Sequence, residues 1–372
     1  MPTTRTIPTA TLLITTLCSL TAVGQSVETR TQALLDSLLI DTSYVGIMVH
    51  IEAPEKNISW SGASGTSPKR GAALDPEQPA LIASSIKTYV AATMLRLVEQ
   101  KQLTLDAPVG PLISEKSKAL FVSDGYDMNA IRIKHLLSHT SGIEDYTDPT
   151  YMVAIKNDPM HRWTRDEQLE RTVAVGEKLG EPGDTYSYAD ANFLLLTEVI
   201  EGKTNKPFYT AMRELLRYDE IGLTHTWFPT LEPVPENTKP LVYQYWSSEG
   251  LDSYGLDISV DLYGGGGIAC PPMELAKFSW NLFNGNIVTD TTVLNMIFTK
   301  VPTQDSVQVN YMMGLSGDDV KGLEGFGHGG FWGTTVNYFP ALNASVSIYI
   351  LERDKRGIRK EVMEKIVGYL SK

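Results

Sequence analysis

Ser84 and Lys87 stand three residues apart, in Ser84-Ser85-Ile86-Lys87, at the head of a long apolar run. One helical turn separates them, so both side chains fall on one face. A serine hydroxyl is a weak nucleophile near neutral pH and needs a neighbouring base. A lysine one turn away, desolvated enough to lower its pKa, can be that base or can hold the proton network. The start of a helix adds a favourable dipole and free backbone N–H groups, which suit an activated serine oxygen or an oxyanion. Chance can supply a Ser-x-x-Lys spacing in 372 residues, but this chain has only one. Two further motifs follow it. Tyr188-Ala189-Asp190 opens a helical pattern after the turn Glu181-Pro182-Gly183-Asp184. His328-Gly329-Gly330 lies on a strand-like run, and no other histidine has a glycine two residues later. Glycines there let a strand backbone approach another group with no Cβ in the way.

The elements that must position these residues can be read from periodicity. Thr29–Leu39 and Ser84–Gln100 repeat apolar residues at helical spacing, and the second is apolar enough to be buried. Ile131–His139, Ala189–Glu201, Phe208–Tyr218 and a helix opened by Pro271-Pro272 and running to about Asn284 follow. Strands are predicted at Tyr44–Ile51, Asn57–Gly65, Met312–Ser316, Phe326–Gly330, Thr334–Phe339 and Ser345–Leu351, and Val362–Leu370 closes the chain as a helix. Ser67–Pro79 is a loop. Ile143–Pro159 and Phe228–Ser259 are polar, rich in Pro and aromatics, and read as irregular lids or binding loops. This order predicts an α/β (α+β) fold: one antiparallel sheet built from both chain ends, flanking helices, and an inserted helical region at roughly 100–260.

Composition narrows the function. The chain is 42% hydrophobic and 20% charged, with a formal net charge of −12 and no Lys/Arg-rich run. A nucleic-acid partner is not expected. Residues 1–24 read as a signal peptide, with Arg5 as the basic region, an apolar stretch from Ala10 to Val23, and Ala22-Val23-Gly24 before a cleavage point at Gln25. This predicts a secreted or periplasmic bacterial protein, residues 25–372 forming one domain with no stable membrane insertion. Its removal leaves Cys270 as the only cysteine, which excludes an internal disulfide. His135 and His139 sit at i and i+4, but no acidic third ligand is suggested, so a metal is not expected. The Gly264–Gly267 run lacks the Lys-Ser/Thr of a phosphate loop and reads as a close-packed turn.

Together the three motifs resemble the serine β-lactamase and penicillin-binding protein superfamily, in the branch of class C β-lactamases, DD-peptidases and related serine esterases. The segment IRIKHLLSHTSGIEDY at Ile131–Tyr146 is similar to a family hallmark, and Pro182–Ile200, Ile221–Phe228 and Gly264–Asn284 also fit. The resemblance runs from about Leu38 to the C-terminus. It implies a β-lactamase/transpeptidase-like fold and two-step acyl transfer, with no cofactor. Ser84 would be the acylated nucleophile, Lys87 its proton acceptor or relay, and Tyr188 the partner base. His328 would stand where many members carry the lysine of Lys-Thr-Gly, with Gly330 beside it. The backbone N–H groups of Ser84 and Phe331 would form the oxyanion hole.

One departure matters. The family's usual Tyr-x-Asn is here Tyr188-Ala189-Asp190. A carboxylate accepts hydrogen bonds but donates none, so Asp190 should hold Lys87 tightly and repel an acidic substrate. A neutral His328 would also attract a substrate carboxylate less than lysine does. The expected activity is therefore a serine hydrolase acting on a small-molecule or peptide ester or amide, of esterase or D-amino-acid peptidase/amidase type. A β-lactamase or DD-carboxypeptidase, and a non-catalytic ligand-binding relative, are the alternatives.

Overall fold

The computed structural model describes residues 25–40, 45–66, 71–304 and 309–372. The stretch read as an export signal lies outside these residues, as do Tyr44 and the first four positions of the Ser67–Pro79 loop.

Six strands form one antiparallel sheet: β1 (Gly46–Ala53), β2 (Ile58–Gly65), β3 (Ser316–Val320), β4 (Leu323–Gly329), β5 (Thr334–Phe339) and β6 (Ala344–Ile350). The spatial order is β2-β1-β6-β5-β4-β3, so the two chain ends meet where β1 pairs with β6, Ile47 opposite Ile350. Along β1 the side chains alternate between faces. Ile47, Val49 and Ile51 join Leu34 and Leu35 of α1 (Val27–Leu38) and Val362, Ile366 and Leu370 of α11 (Arg359–Leu370) in one core. Met48, on the other face, belongs to the larger core shared with the rest of the helices. Both faces are covered, which is why β1 and β6 are buried along their whole length.

The helices of the second layer are α2 (Ile86–Glu99), α3 (Glu115–Ser123), α4 (Ile133–Leu137), α5 (Pro149–Asn157), α6 (Arg165–Val175), α7 (Asp190–Thr204), α8 (Phe208–Leu215), α9 (Pro272–Phe283) and α10 (Thr291–Asn295). α2 is apolar on nearly every side and lies at the centre, against α7, α8 and the end of β4.

Two expectations need correction. Ile143–Pro159 is not irregular throughout: Asp148 accepts the Tyr151 N–H at 3.0 Å and Pro149 takes the first helical position, so α5 starts there. The Pro that suggested a loop marks a helix start instead. Met312–Ser316 is not a strand. Gly314 (φ +71°) turns the chain, with the Met312 N–H bonded to Leu315 O, and pairing begins only at Ser316. A Cβ at Gly314 would lie 2.6 Å from Lys87 O, so the turn packs directly on α2.

Candidate active site

Ser84 sits in the short 3-10 turn Ala83–Ser85, immediately before α2. Ala83 holds φ +45°, a left-handed conformation that a residue with a Cβ adopts only when its surroundings impose it. The end of the sheet imposes it here. Ser85 Oγ donates to His328 O at 3.3 Å, and Thr334 Oγ1 donates to Ile82 O at 3.0 Å. A Cβ at Gly330 would come within 2.2 Å of Ile82 O, so the glycine is what lets strand and turn meet.

Lys87, one turn into the helix, is wholly buried, with 0% of its side chain exposed. Its Nζ donates to Asp190 Oδ1 at 2.5 Å and to Gly265 O at 2.8 Å, and lies 5.0 Å from the centre of the Tyr188 ring. The glycine run supplies that carbonyl, a contribution that its reading as a plain turn missed. Tyr188, two residues before Asp190 at the head of α7, lines the same cavity as Ser84. Burial pushes the Tyr188 phenol well above its usual range, and the charges of Asp190, Asp261 and Asp145 add to this, while the Ser84 hydroxyl opposes it. Ser84, Lys87, Tyr188 and Asp190 are thus brought into one cluster.

His328, on β4, reaches the same cluster from the sheet side, its ring 6.3 Å from that of Tyr188. Both ring nitrogens are engaged within the protein: Nδ1 donates to Gly329 O at 2.7 Å and Nε2 lies 3.1 Å from the Tyr311 hydroxyl. Burial, with the Lys87 charge next, pushes its pKa down to about 3, so it is neutral at physiological pH.

These groups open into a cavity of about 420 Å³ lined by Ser84, Tyr188, Asp190 and Phe331. Gly330 lies just behind it, against the Ser84 turn. One wall is acidic. Asp145 accepts the Asp190 N–H at 2.9 Å, and Asp261 faces the same space. Desolvation, with the negative charge of Asp190 next, pushes the carboxyls of both Asp145 and Asp261 up to about 7. Much of the remaining lining is apolar, with Tyr151, Met152, Ile155, Leu256 and Trp332. At the rim the Arg353 guanidinium lies 3.9 Å from the Trp246 ring and 4.1 Å from Phe331. Trp246 comes from the two-residue strand pair Tyr245–Trp246 with Leu251–Asp252, within the long segment expected to be irregular.

Sequence reasoning placed the motif residues but missed Asp145, Asp261, Arg353, Tyr311 and the destination of His139. Asp145 and His139 lie inside the hallmark segment, so that segment carried the signal. His135 and His139 do not face a common point: His135 Nδ1 accepts the Arg132 N–H at 3.1 Å, whereas His139 packs behind Tyr188.

The esterase EstB of Burkholderia gladioli is 30% identical over 215 residues, 56% of this chain and 53% of that protein. The chain therefore spans about half the length of that relative. The D-stereospecific amidohydrolase of a Streptomyces species superposes with a TM-score of 0.74 at 23% identity, covering 91% of this chain and 97% of that one. The D-amino acid amidase of Ochrobactrum anthropi SV3, complexed with L-phenylalanine amide, gives 0.76 at 20% identity, covering 93% and 98%. The fold is the β-lactamase/transpeptidase fold expected from the motifs. A model of the beta-lactamase family matches residues 32–357, nearly the whole described molecule with the serine turn, the Tyr188 segment and the His328 strand inside it, and the chain belongs to that family.

Proposed function

We propose that this protein is a serine hydrolase that works through a covalent acyl-enzyme on Ser84. The observation that carries the reading is the convergence of Ser84 and Tyr188 on one open cavity, with the Nζ of a fully buried Lys87 5.0 Å from the Tyr188 ring. In this reading the reacting form of the Tyr188–Lys87 pair holds one proton fewer than phenol plus ammonium, and it takes the Ser84 proton as Ser84 Oγ attacks the substrate carbonyl carbon. The same pair returns that proton to the leaving group, then takes one from the water that attacks the ester on Ser84 and hands it to the departing Ser84 Oγ. Backbone N–H groups of Ser84 and Phe331 receive the oxyanion, each such donor being worth ~10²–10³ in rate.

The cavity favours an ester or amide whose acyl side is apolar and carries no carboxylate. Asp190 faces the substrate space together with the partly protonated Asp145 and Asp261, the Arg353 cation in that lining is stacked on Trp246 and Phe331, and His328 is neutral. An anionic β-lactam meets repulsion there; a neutral or amine-bearing substrate does not. The names of its relatives, an esterase and an amidase for D-amino acids, agree with this. The signal-like N-terminus supports export to the periplasm or medium, and N-terminal sequencing of the mature protein should begin at Gln25.

Incubation with a fluorophosphonate probe, followed by intact-mass and peptide mapping, tests the central claim. One adduct on Ser84, absent from Ser84→Ala, is expected. Undiminished labelling of Ser84→Ala would remove Ser84 from the role.

A further inference from the structure

His139 and Tyr311 lie outside the three motifs, yet both are almost completely buried, at 1% and 9% exposure, against the candidate site. His139 holds φ +56°, a left-handed conformation that a residue with a Cβ rarely adopts. Its ring lies against Tyr188 with centroids 4.2 Å apart, and against Phe193 and Tyr311 at 5.2 and 4.9 Å. It backs Tyr188, which lines the candidate site with Ser84.

The hydrogen bonds around these rings have one consistent direction. His139 Nδ1 lies 3.2 Å from the Ala189 backbone N–H, a group that can only donate. The Asn192 side-chain nitrogen also faces Nδ1, at 3.3 Å, because the Asn192 oxygen is taken by Ser141 Oγ at 2.6 Å. Nδ1 of His139 is therefore an acceptor, and the ring proton of the neutral imidazole sits on Nε2. That proton points at Tyr311 Oη, 3.2 Å away. The Tyr311 hydroxyl, having accepted from His139, spends its single hydrogen on His328 Nε2 at 3.1 Å. His328 then carries its proton on Nδ1, which donates to Gly329 O at 2.7 Å. The chain runs from the peptide between Tyr188 and Asp190 to the strand end that borders the cavity. Burial holds both imidazoles neutral, with the Lys87 charge as the next cause.

We propose that His139 and Tyr311 are positioning residues, which lock His328 as its Nδ1–H tautomer and brace the Tyr188 ring from behind. The lock has a chemical consequence. With Nε2 filled by the Tyr311 hydrogen and Nδ1 by Gly329 O, His328 has no free lone pair and no free N–H to exchange with Ser84 or Tyr188. Proton traffic is confined to the Tyr188–Lys87 side. The imidazole meanwhile fixes the direction of the Gly329 carbonyl, and so the path of the strand into Gly330 and Phe331. This extends the serine-hydrolase reading and rests on it, but the tautomer is a property of the resting protein and can be read without turnover.

The test is a two-bond ¹H–¹⁵N spectrum of protein labelled on its six histidines, with His328 and His139 assigned by His328→Gln and His139→Gln. Wild type is expected to show His328 protonated on Nδ1 and His139 on Nε2. Tyr311→Phe keeps the ring and removes only the hydroxyl. It should leave His328 protonated on Nδ1 toward Gly329 O but move its Nε2 to the shift of an imine nitrogen that has lost its hydrogen bond, keep His139 as its Nε2–H form, and lower kcat on an activated ester about 10-fold with KM within about 2-fold, in the range typical of lost proton-transfer positioning. An Nε2–H His328 in the wild type, or a His328 signal indifferent to Tyr311→Phe, overturns the proposal. An inactive wild type with the expected tautomers would sink the hydrolase reading and leave the lock standing.

Discussion

Asp190→Asn restores the residue usual in the family's second motif and isolates what its carboxylate does. In the wild type the Lys87 ammonium is held by Asp190 at 2.5 Å and by one carbonyl. The substitution keeps an amide oxygen for Lys87 but removes one negative charge from the cavity wall. For a substrate carboxylate seated ~6 Å from that wall, unit charges interact by roughly 1.5–3 kcal/mol at an effective dielectric of 20–40. Asp190→Asn should therefore raise kcat/KM for an anionic substrate such as nitrocefin, relative to a neutral acyl ester, by about 10- to 100-fold. The ratio is the useful quantity, because a general loss of activity cancels from it. Such a loss is expected. Removing one partner of a buried ion pair costs about 3–5 kcal/mol when nothing replaces it, and the retained amide hydrogen bond and the relief of repulsion with Asp145 and Asp261 should reduce this to about 1–3 kcal/mol. Paired kinetics on the two substrates, with thermal denaturation alongside, decide the matter. An unchanged ratio, or a shift toward the neutral ester, refutes the claim that the carboxylate governs substrate charge.

Further predictions follow from the same cavity. The raised Asp261 carboxyl means that the folded protein binds a proton there that the unfolded chain releases near pH 4, so its stability contribution is lost as pH rises from about 4 to 7. Asp261→Asn should thus stabilise the protein by an amount that grows from pH 5 to 7 and levels off above, reaching ~1–2 kcal/mol after screening by water in the cavity, as followed by urea denaturation at each pH; a gain independent of pH contradicts the raised pKa. Gly330→Ala places a Cβ 2.2 Å from Ile82 O and 2.3 Å from Thr334 Oγ1, so strand and serine turn must separate. Its acylation rate should fall at least ~10²-fold, the typical worth of one oxyanion donor, measured by probe labelling kinetics. Trp246→Ala removes one face of the Arg353 stack at the rim. It should raise KM for esters of bulky apolar acids several-fold while leaving acetyl esters nearly unaffected, a contrast that a substrate series of increasing acyl length would expose.

The parts legible in the sequence share one property: their signal is local. Ser84 and Lys87 lie on one helix turn, Tyr188 and Asp190 on the next helix start, and His328 on a strand whose two glycines mark a close approach. The sheet strands alternate or run apolar, and five of the six were placed to within a few residues. What escaped depends on contacts between distant segments. Asp261 enters the site because Gly264–Gly267 folds its loop back over Asp190, and a Cβ at Gly265 would meet Asp190 at 3.3 Å. Tyr311 enters because Gly314 reverses the chain against α2, where hydropathy alone suggested a continuing strand. α5 was missed because a proline at the first helical position looks the same in sequence as a proline in a loop. His139 stood in plain sight, one turn after His135, but only the folded backbone shows that the two point to different places.

The pairing of β1 with β6 also governs when the site can exist. Ile47 faces Ile350, so the central ladder joins the first and last strands of the sheet among the described residues. Contacts so far apart in the chain close slowly and only after the intervening residues are available. The strand bearing His328 and the turn bearing Ser84 are tied together through Ile82, Thr334 and Gly330. During synthesis, α2 can therefore form long before the segment that completes its cavity has been made. The candidate site is assembled only once the strand bearing His328 has docked beside the turn bearing Ser84.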